Sequence, residues 1–277
     1  MDVPLMNLDS VSFSYGKNNF ALRDVSLKID SGGMYSVIGR NGSGKSTLVK
    51  ILAGVFSGFD GTVDFLGKPI ASYDRKFLAR HIACVPQENT LFDFNLSVPE
   101  FLSFGRYAFK KFTDFRNGIE DRKITDAAMS LLGISGFRSK KLSELSGGEK
   151  QKVYIALALV QLDVTSDLSG KLLIVDEPLT FLDVNYQFEI FNVLTKLNDS
   201  GLAVLAVTHD LNIAIKYTKN TYLFDKGCLA KSGRTGEIIT EESLSEYFML
   251  NSHIVKFEND FHINFFPTSK SGKNGIQ

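Results

Sequence analysis

The chain has 277 residues, 31 of them basic and 31 acidic, so its formal net charge is zero. That balance excludes the broad positive field with which a protein gathers nucleic acid or anionic lipid, and the length suffices for one large α/β domain with a subdomain. Only two cysteines occur, Cys84 and Cys228, far apart and within apolar stretches, which excludes a disulfide framework and points to a reducing compartment.

From the N-terminus, Met1–Ser10 lacks the basic-then-apolar pattern of a secretion signal. Val11, Phe13 and Tyr15, then Val25, Leu27 and Ile29, alternate with polar residues and predict two half-buried antiparallel strands. Tyr35–Ile38 is an apolar run that enters a glycine-rich loop and then a helix from about Lys45. Thr62–Leu66 and Ile82–Val85 read as further strands, and from Pro99 to Leu159 apolar residues recur at helical spacing. The densest basic runs, Lys110 with Lys111 and Arg138 with Lys140 and Lys141, read as solvated faces. Leu172–Val175 and Ala203–Val207 are continuous apolar runs flanking a helical stretch, Tyr186–Leu197, as expected of parallel strands buried on both faces. Thr221–Phe224 and Cys228–Ala230 form a hairpin pattern around Lys226 and Gly227, and Glu241–Met249 a short helix. No apolar run approaches the ~18 residues a membrane span needs, so the expectation is a soluble cytosolic chain.

Three segments carry chemistry. Gly39, Arg40, Asn41, Gly42, Ser43, Gly44, Lys45, Ser46 and Thr47 match the phosphate-loop pattern in its required context, after a strand and before a helix. Its glycines let backbone N–H groups face a phosphate, Lys45 spans the β and γ oxygens, and Ser46 ligates Mg²⁺. LLIVDE, Leu172–Glu177, ends an apolar strand in two carboxylates. Asp176 is placed to hold the metal, and Glu177, pointing the other way along the strand alternation, to polarise a water; a solvated strand end is the alternative. LSGGE, Leu145–Glu149, precedes a helix, with Ser146 as N-cap and Gly147 and Gly148 allowing a phosphate to approach the helix N-terminus.

This ordered set resembles the ATP-binding cassette (ABC) family over roughly residues 5–250, with LSGGE as its signature sequence. The resemblance implies a P-loop NTPase (RecA-like) α/β core, an N-terminal antiparallel β subdomain and a helical signature subdomain at about 88–165. Residues 251–277 would be an extension with a frayed end. It also implies roles. Tyr15 stacks on adenine, Gln87 is the Q-loop glutamine and a Mg²⁺ ligand, His209 contacts the γ-phosphate, and Asp183 is the D-loop aspartate of a dimer interface. Taken singly, Tyr15 reads equally as a strand aromatic, Gln87 as a loop polar residue and His209 as a capping histidine. Lys152 and Leu157 stand where the family often has arginine, and the segment 161–171 is longer than usual, which predicts a surface loop.

The implied assembly is a head-to-tail homodimer with ATP and Mg²⁺ between Lys45 of one copy and Ser146, Gly147, Gly148 and Glu149 of the other. It would be held at the cytoplasmic face of the cell membrane by permease subunits, with a substrate-binding protein as indirect partner and no role for nucleic acid. LARHIACVPQ, LSVPEFLSFGRYAF and THDLNIAIKY are most similar to importer subunits serving iron-siderophore, haem and cobalamin uptake. Zinc or manganese import, or a non-transport ATPase such as an iron-sulfur assembly factor, are the alternatives.

Overall fold

The computed structural model describes residues 3–16, 20–86, 95–110, 118–177, 184–257 and 260–266. Gln87 and Asp183 lie outside the described residues. The chain opens with β1 (Met6–Ser14) and β2 (Phe20–Ile29), an antiparallel pair with Leu8 opposite Leu27 and Val11 opposite Val25. Val11, Val25 and Leu27 are among the residues whose alternation marks the strands in the sequence. Next come β3 (Met34–Gly39), α1 (Lys45–Leu52), β4 (Asp60–Phe65), β5 (Lys68–Pro69), α2 (Arg75–His81) and β6 (Ile82–Val85). The helical region holds α3 (Val98–Ser103), α4 (Ile119–Leu131) and α5 (Gly147–Gln161). Then follow β7 (Leu172–Asp176), α6 (Val184–Asp199), β8 (Ala203–Val207), α7 (Leu211–Tyr217), β9 (Asn220–Asp225), β10 (Cys228–Arg234), α8 (Thr235–Ile238), α9 (Glu241–Phe248), β11 (Asn251–Phe257) and β12 (Asp260–Phe266).

The central sheet has the order β10-β9-β3-β8-β7-β6, parallel throughout except for the antiparallel edge strand β10. Every residue of β3, β7 and β8 is buried, which is why these strands read as near-continuous apolar runs. Their two faces serve different layers. Leu172, Ile174, Leu205 and Val207 pack with α1 and the antiparallel sheet β2-β1-β4-β5. Leu173, Val175, Val204 and Ala206 pack with Phe101, Leu102, Ile155 and Leu159 of the helical region. Ser36, the polar residue inside β3, is matched by hydroxyls of Thr218 and Thr221 at 2.9 and 2.6 Å, so its burial leaves no orphan donor.

Helix α5 is buried almost all round, with Val153, Ile155, Ala156, Leu159 and Val160 inside. It is the axle of the helical region. Gly105 lies so close to it that a Cβ would meet Leu157 O at 2.9 Å. Beside that contact Arg106 is buried against Asp121 (2.9 Å), Asp163 (3.4 Å) and the ring of Phe109.

One expectation needs correction. The segment 161–171 is more than a surface loop. Leu162 and Leu168 are buried, and Lys171 Nζ donates to Leu162 O and Ser166 Oγ, both at 2.6 Å, so it is folded back on the core and exposed at Thr165–Asp167 and Ser169. Residues 251–266 form the β11–β12 hairpin, with Ile254 opposite Ile263; the end after Pro267, where fraying is expected, lies outside the described residues.

Candidate functional site

The carboxyl ends of β3, β7 and β8 bring the phosphate-loop, acidic and histidine segments to one edge of the sheet, where ligands of open α/β folds bind. After β3 the chain turns through Gly39–Gly44 into α1. Gly44, at φ +103°, lies so close to β2 that a Cβ would stand 2.6 Å from Ala21 O; Gly39, at φ +150°, would bring one within 2.3 Å of Phe224 O. Only glycine permits either approach. The hydroxyl of Ser43 is buried and finds no hydrogen-bond partner among the described residues. A glycine cradle at a helix N-terminus, with an orphan buried hydroxyl in it, has the chemistry of a phosphate site.

Lys45 is buried, and its Nζ donates to Gly39 O at 2.8 Å and Arg40 O at 3.1 Å. Burial lowers its pKa, opposed by the carboxylates of Glu177 and Asp176. Ser46 and Asn41 are exposed. Thr47 is buried, and its hydroxyl bonds Tyr15 Oη at 3.0 Å. Tyr15 lies just beyond β1 with half its surface exposed, standing edge-on to Phe13 and Phe56, which themselves stack. Tyr15, Gly44, Lys45, Ser46 and Thr47, together with Phe20, Ala21, Asn41, Gly42 and Glu177, line a cleft of about 470 Å³. Phe20 and Ala21 belong to no motif, and nothing in the sequence marks them as lining residues. Tertiary packing of β2 against the loop puts them there.

Asp176 closes β7, and burial together with the neighbouring charge of Glu177 pushes its pKa up from 3.8 to about 6, with Lys45 and Lys50 opposing. Glu177 is not a strand residue, which corrects the alternation argument. It sits in the left-handed region at φ 49°, its N–H bonded to Val207 O at 2.8 Å, and this turn rather than the strand pleat sets its direction. His209 Nε2 contacts Glu177 Oε1. Ser46 and Asp176 offer oxygen donors of the kind a hard divalent cation takes.

The raised pKa of Asp176 has a stability consequence. The folded chain holds a proton between about pH 4 and 6 that the unfolded chain has released, so this contribution is full below the unfolded pKa and lost as pH rises through about 6. At neutral pH the buried charge costs on the order of 3 kcal/mol. Asp176→Asn should therefore raise the nucleotide-free melting temperature by a few degrees at pH 7.5, an advantage that shrinks toward pH 4.5, while abolishing Mg²⁺-dependent turnover. Thermal scans at both pH values check it; a fall in melting temperature at pH 7.5 would count against the burial argument.

The signature residues lie apart from this cleft. Ser146 N-caps α5, accepting from Glu149 N at 3.3 Å, and Glu149 Oε2 accepts from Ser146 N at 2.9 Å, a reciprocal capping box. Lys140 Nζ bonds the other Glu149 oxygen at 3.1 Å, so one of the basic-run residues has a specific partner. Ser146, Gly147, Gly148 and Glu149 line a second cavity of about 740 Å³ with Gly133, Ile134, Phe137, Lys152 and Tyr186; the two cavities share no residue. Lys152, the departure from arginine, reaches Glu189 on α6 at 2.8 Å and lies over Tyr186.

Fold and cleft together define a P-loop NTPase. Residues 22–180 match the family described as ABC transporter. The chain is 32% identical over 251 residues to an iron(3+)-hydroxamate import ATP-binding protein of Bacillus subtilis, covering 90% of each. It is 30% identical over 274 residues to a petrobactin import ATP-binding protein of Bacillus anthracis, covering 99% of this chain and 96% of that one. Among solved structures it is similar to a chain of a transporter assigned to the metal-chelate type, inward-facing, at 25% identity and a TM-score of 0.79 over 97% of this chain and 99% of the other. The chain belongs to the ABC transporter family and is an ATP-binding, ATP-hydrolysing subunit. No helix among its described residues is long and apolar enough to cross a membrane.

Proposed function

We propose that this chain drives an importer of iron chelates, siderophore or haem, or of cobalamin, acting as a head-to-tail homodimer on separate permease subunits at the cytoplasmic face of the membrane. The observation that carries the dimer is the separation of the phosphate-loop and signature cavities, which no single copy joins. In a two-fold arrangement ATP binds the loop Gly39–Thr47 of one copy and Ser146, Gly147 and Gly148 of the other. Tyr15 receives the base, Lys45 the β and γ oxygens, and His209 steadies Glu177 against the γ-phosphate side. Gln87 and Asp183 complete the family's set of roles in the Q-loop and at the dimer interface.

Ser46 and Asp176, with Gln87, would hold Mg²⁺, which when bound draws charge from the phosphate oxygens. Glu177 orients and polarises the attacking water as general base. Binding thus closes the dimer and hydrolysis releases it. Phe104 and Tyr107, exposed on the turn after α3, support a permease-facing surface on the helical region, through which closure would be transmitted. The import reading rests on relatives that act on iron-hydroxamate and petrobactin and that the chain matches nearly end to end. A substrate-binding protein would deliver the solute from the far side.

The substrate class is tested by uptake of labelled ferric siderophore, haem, cobalamin and Mn²⁺ in cells with and without the chain. Loss confined to Mn²⁺ would move the assignment to metal-ion import, and loss of none would return it to a non-transport ATPase. The dimer has its own test. Ser146→Arg should leave ATP binding by the isolated monomer within about twofold while removing ATP-driven dimerisation and turnover, at a stability cost of about 1 kcal/mol for the lost N-cap. Proportional loss of monomer binding would refute the head-to-tail arrangement.

A further inference from the structure

The β11–β12 hairpin follows the last element of the nucleotide-binding fold, yet it is fastened at two points that lead to the site. Ile263 is buried, whereas the residues on either side of it in β12, His262 and Asn264, are exposed. Its side chain joins a cluster with Ile38, the residue before Gly39, and with Leu211 and Ala214 of α7. Its backbone N–H donates to Asn212 Oδ1 at 2.7 Å. Directly across the hairpin, Ile254 N donates to Glu241 Oε1 at the start of α9, at 2.9 Å. The far end of α9 reaches the phosphate loop, where Arg40 Nη1 lies 3.5 Å from Met249 Sδ.

Asn212 stands three residues after His209. Between them Asp210 caps α7, accepting from Asn212 N at 2.9 Å and Ile213 N at 3.0 Å, while its own N–H donates to Thr208 Oγ1 at 3.0 Å. The turn Thr208–Asp210 that presents His209 to Glu177 is thus held on one side by β3, through Thr208 N to Val37 O at 3.2 Å. On the other it is held by the first turn of α7, which the hairpin grips. An α7 of only seven residues has little stability of its own, so its placement depends on such outside contacts.

We propose that Asn212 is a positioning residue for ATP hydrolysis: its bond to the C-terminal hairpin fixes the turn that carries His209 against Glu177. This deepens the catalytic reading given above and rests on it. Asn212 touches no reacting atom. A side-chain acceptor is what Ile263 N–H requires, and the aspartate of Asn212→Asp supplies one with the same shape at a position where the helix N-terminus favours a negative charge.

The experiment measures steady-state ATP hydrolysis by the full-length chain with Asn212→Ala, Asn212→Asp, His209→Ala and the His209→Ala/Asn212→Ala double variant, with a melting temperature for each. Asn212→Ala should lower kcat about three- to tenfold with KM for ATP within twofold, and Asn212→Asp should restore it. In the His209→Ala background, Asn212→Ala should cost nothing further, because its effect runs through that side chain. A merely structural role predicts the same fractional loss in both backgrounds. That result, or wild-type kcat in Asn212→Ala, or no rescue by Asn212→Asp, would overturn the proposal. Wild-type turnover in His209→Ala would instead overturn the catalytic reading, and the hairpin's role with it.

Discussion

Glu177→Gln should lower ATP turnover roughly a hundred- to ten-thousand-fold, the usual cost of removing a general base, while ATP still binds. The substitution keeps the side chain's size and its capacity to hydrogen-bond His209, and it leaves untouched the backbone bond from residue 177 to Val207 O that fixes the turn. On the role proposed for Glu177, what is lost is the charge that polarises water. Because Lys45, Ser46 and Asp176 are unchanged, Mg-ATP should continue to draw two copies together, and the variant should accumulate as an ATP-bound dimer. Size-exclusion chromatography with Mg-ATP reads the dimer, and phosphate release with the permease present reads the rate. Near-normal hydrolysis would remove Glu177 from the role of base and direct the search to His209.

The legible part of this protein is the part where local sequence and global fold agree. The phosphate loop could be read because its glycines answer backbone demands that no other residue meets, as the contacts at Gly39 and Gly44 show. Buried parallel strands could be read because β7 and β8 are apolar at every position that both faces must cover, until Asp176 breaks the run. Ser146 and Glu149 form the Ser-x-x-Glu pattern of a capping box, the local signal that starts α5.

The unread parts share a cause. The turn at Glu177 is left-handed without glycine, so nothing local announces it; the bond to Val207, thirty residues on, holds it there. The β11–β12 hairpin carries polar and aromatic residues on both faces, and among its described residues Ile263 is the one buried anchor, so its alternation gives a weak signal, and it is stabilised by α7 and α9 rather than by its own sequence. The segment 161–171 looks like a loop by composition, but Leu162 and Leu168 tie it down, and Asp163 reaches Arg106 from a distance no window captures. Phe20 and Ala21 enter the cleft by tertiary packing alone.

Lys45→Ala should weaken ATP binding by two to four orders of magnitude. The ammonium rests on the carbonyls of Gly39 and Arg40, the inner rim of the cradle, so it stands where a phosphate would arrive. Binding exchanges those neutral acceptors for charged β and γ oxygens. Each charge-assisted hydrogen bond is worth about 1.5–3 kcal/mol, so losing two costs about 3–6 kcal/mol. That converts to the stated range of affinity. The fold itself should change little, because the two bonds to carbonyls are offset by relief from burying a cation, the main cause of the lowered Lys45 pKa. A melting temperature within a few degrees of the unmodified chain, beside an ATP titration showing the loss, would separate binding from folding. Lys45→Arg should not rescue, since a planar guanidinium cannot occupy a niche built for a compact ammonium. Unchanged ATP affinity in Lys45→Ala would refute the assignment of the loop as the phosphate site.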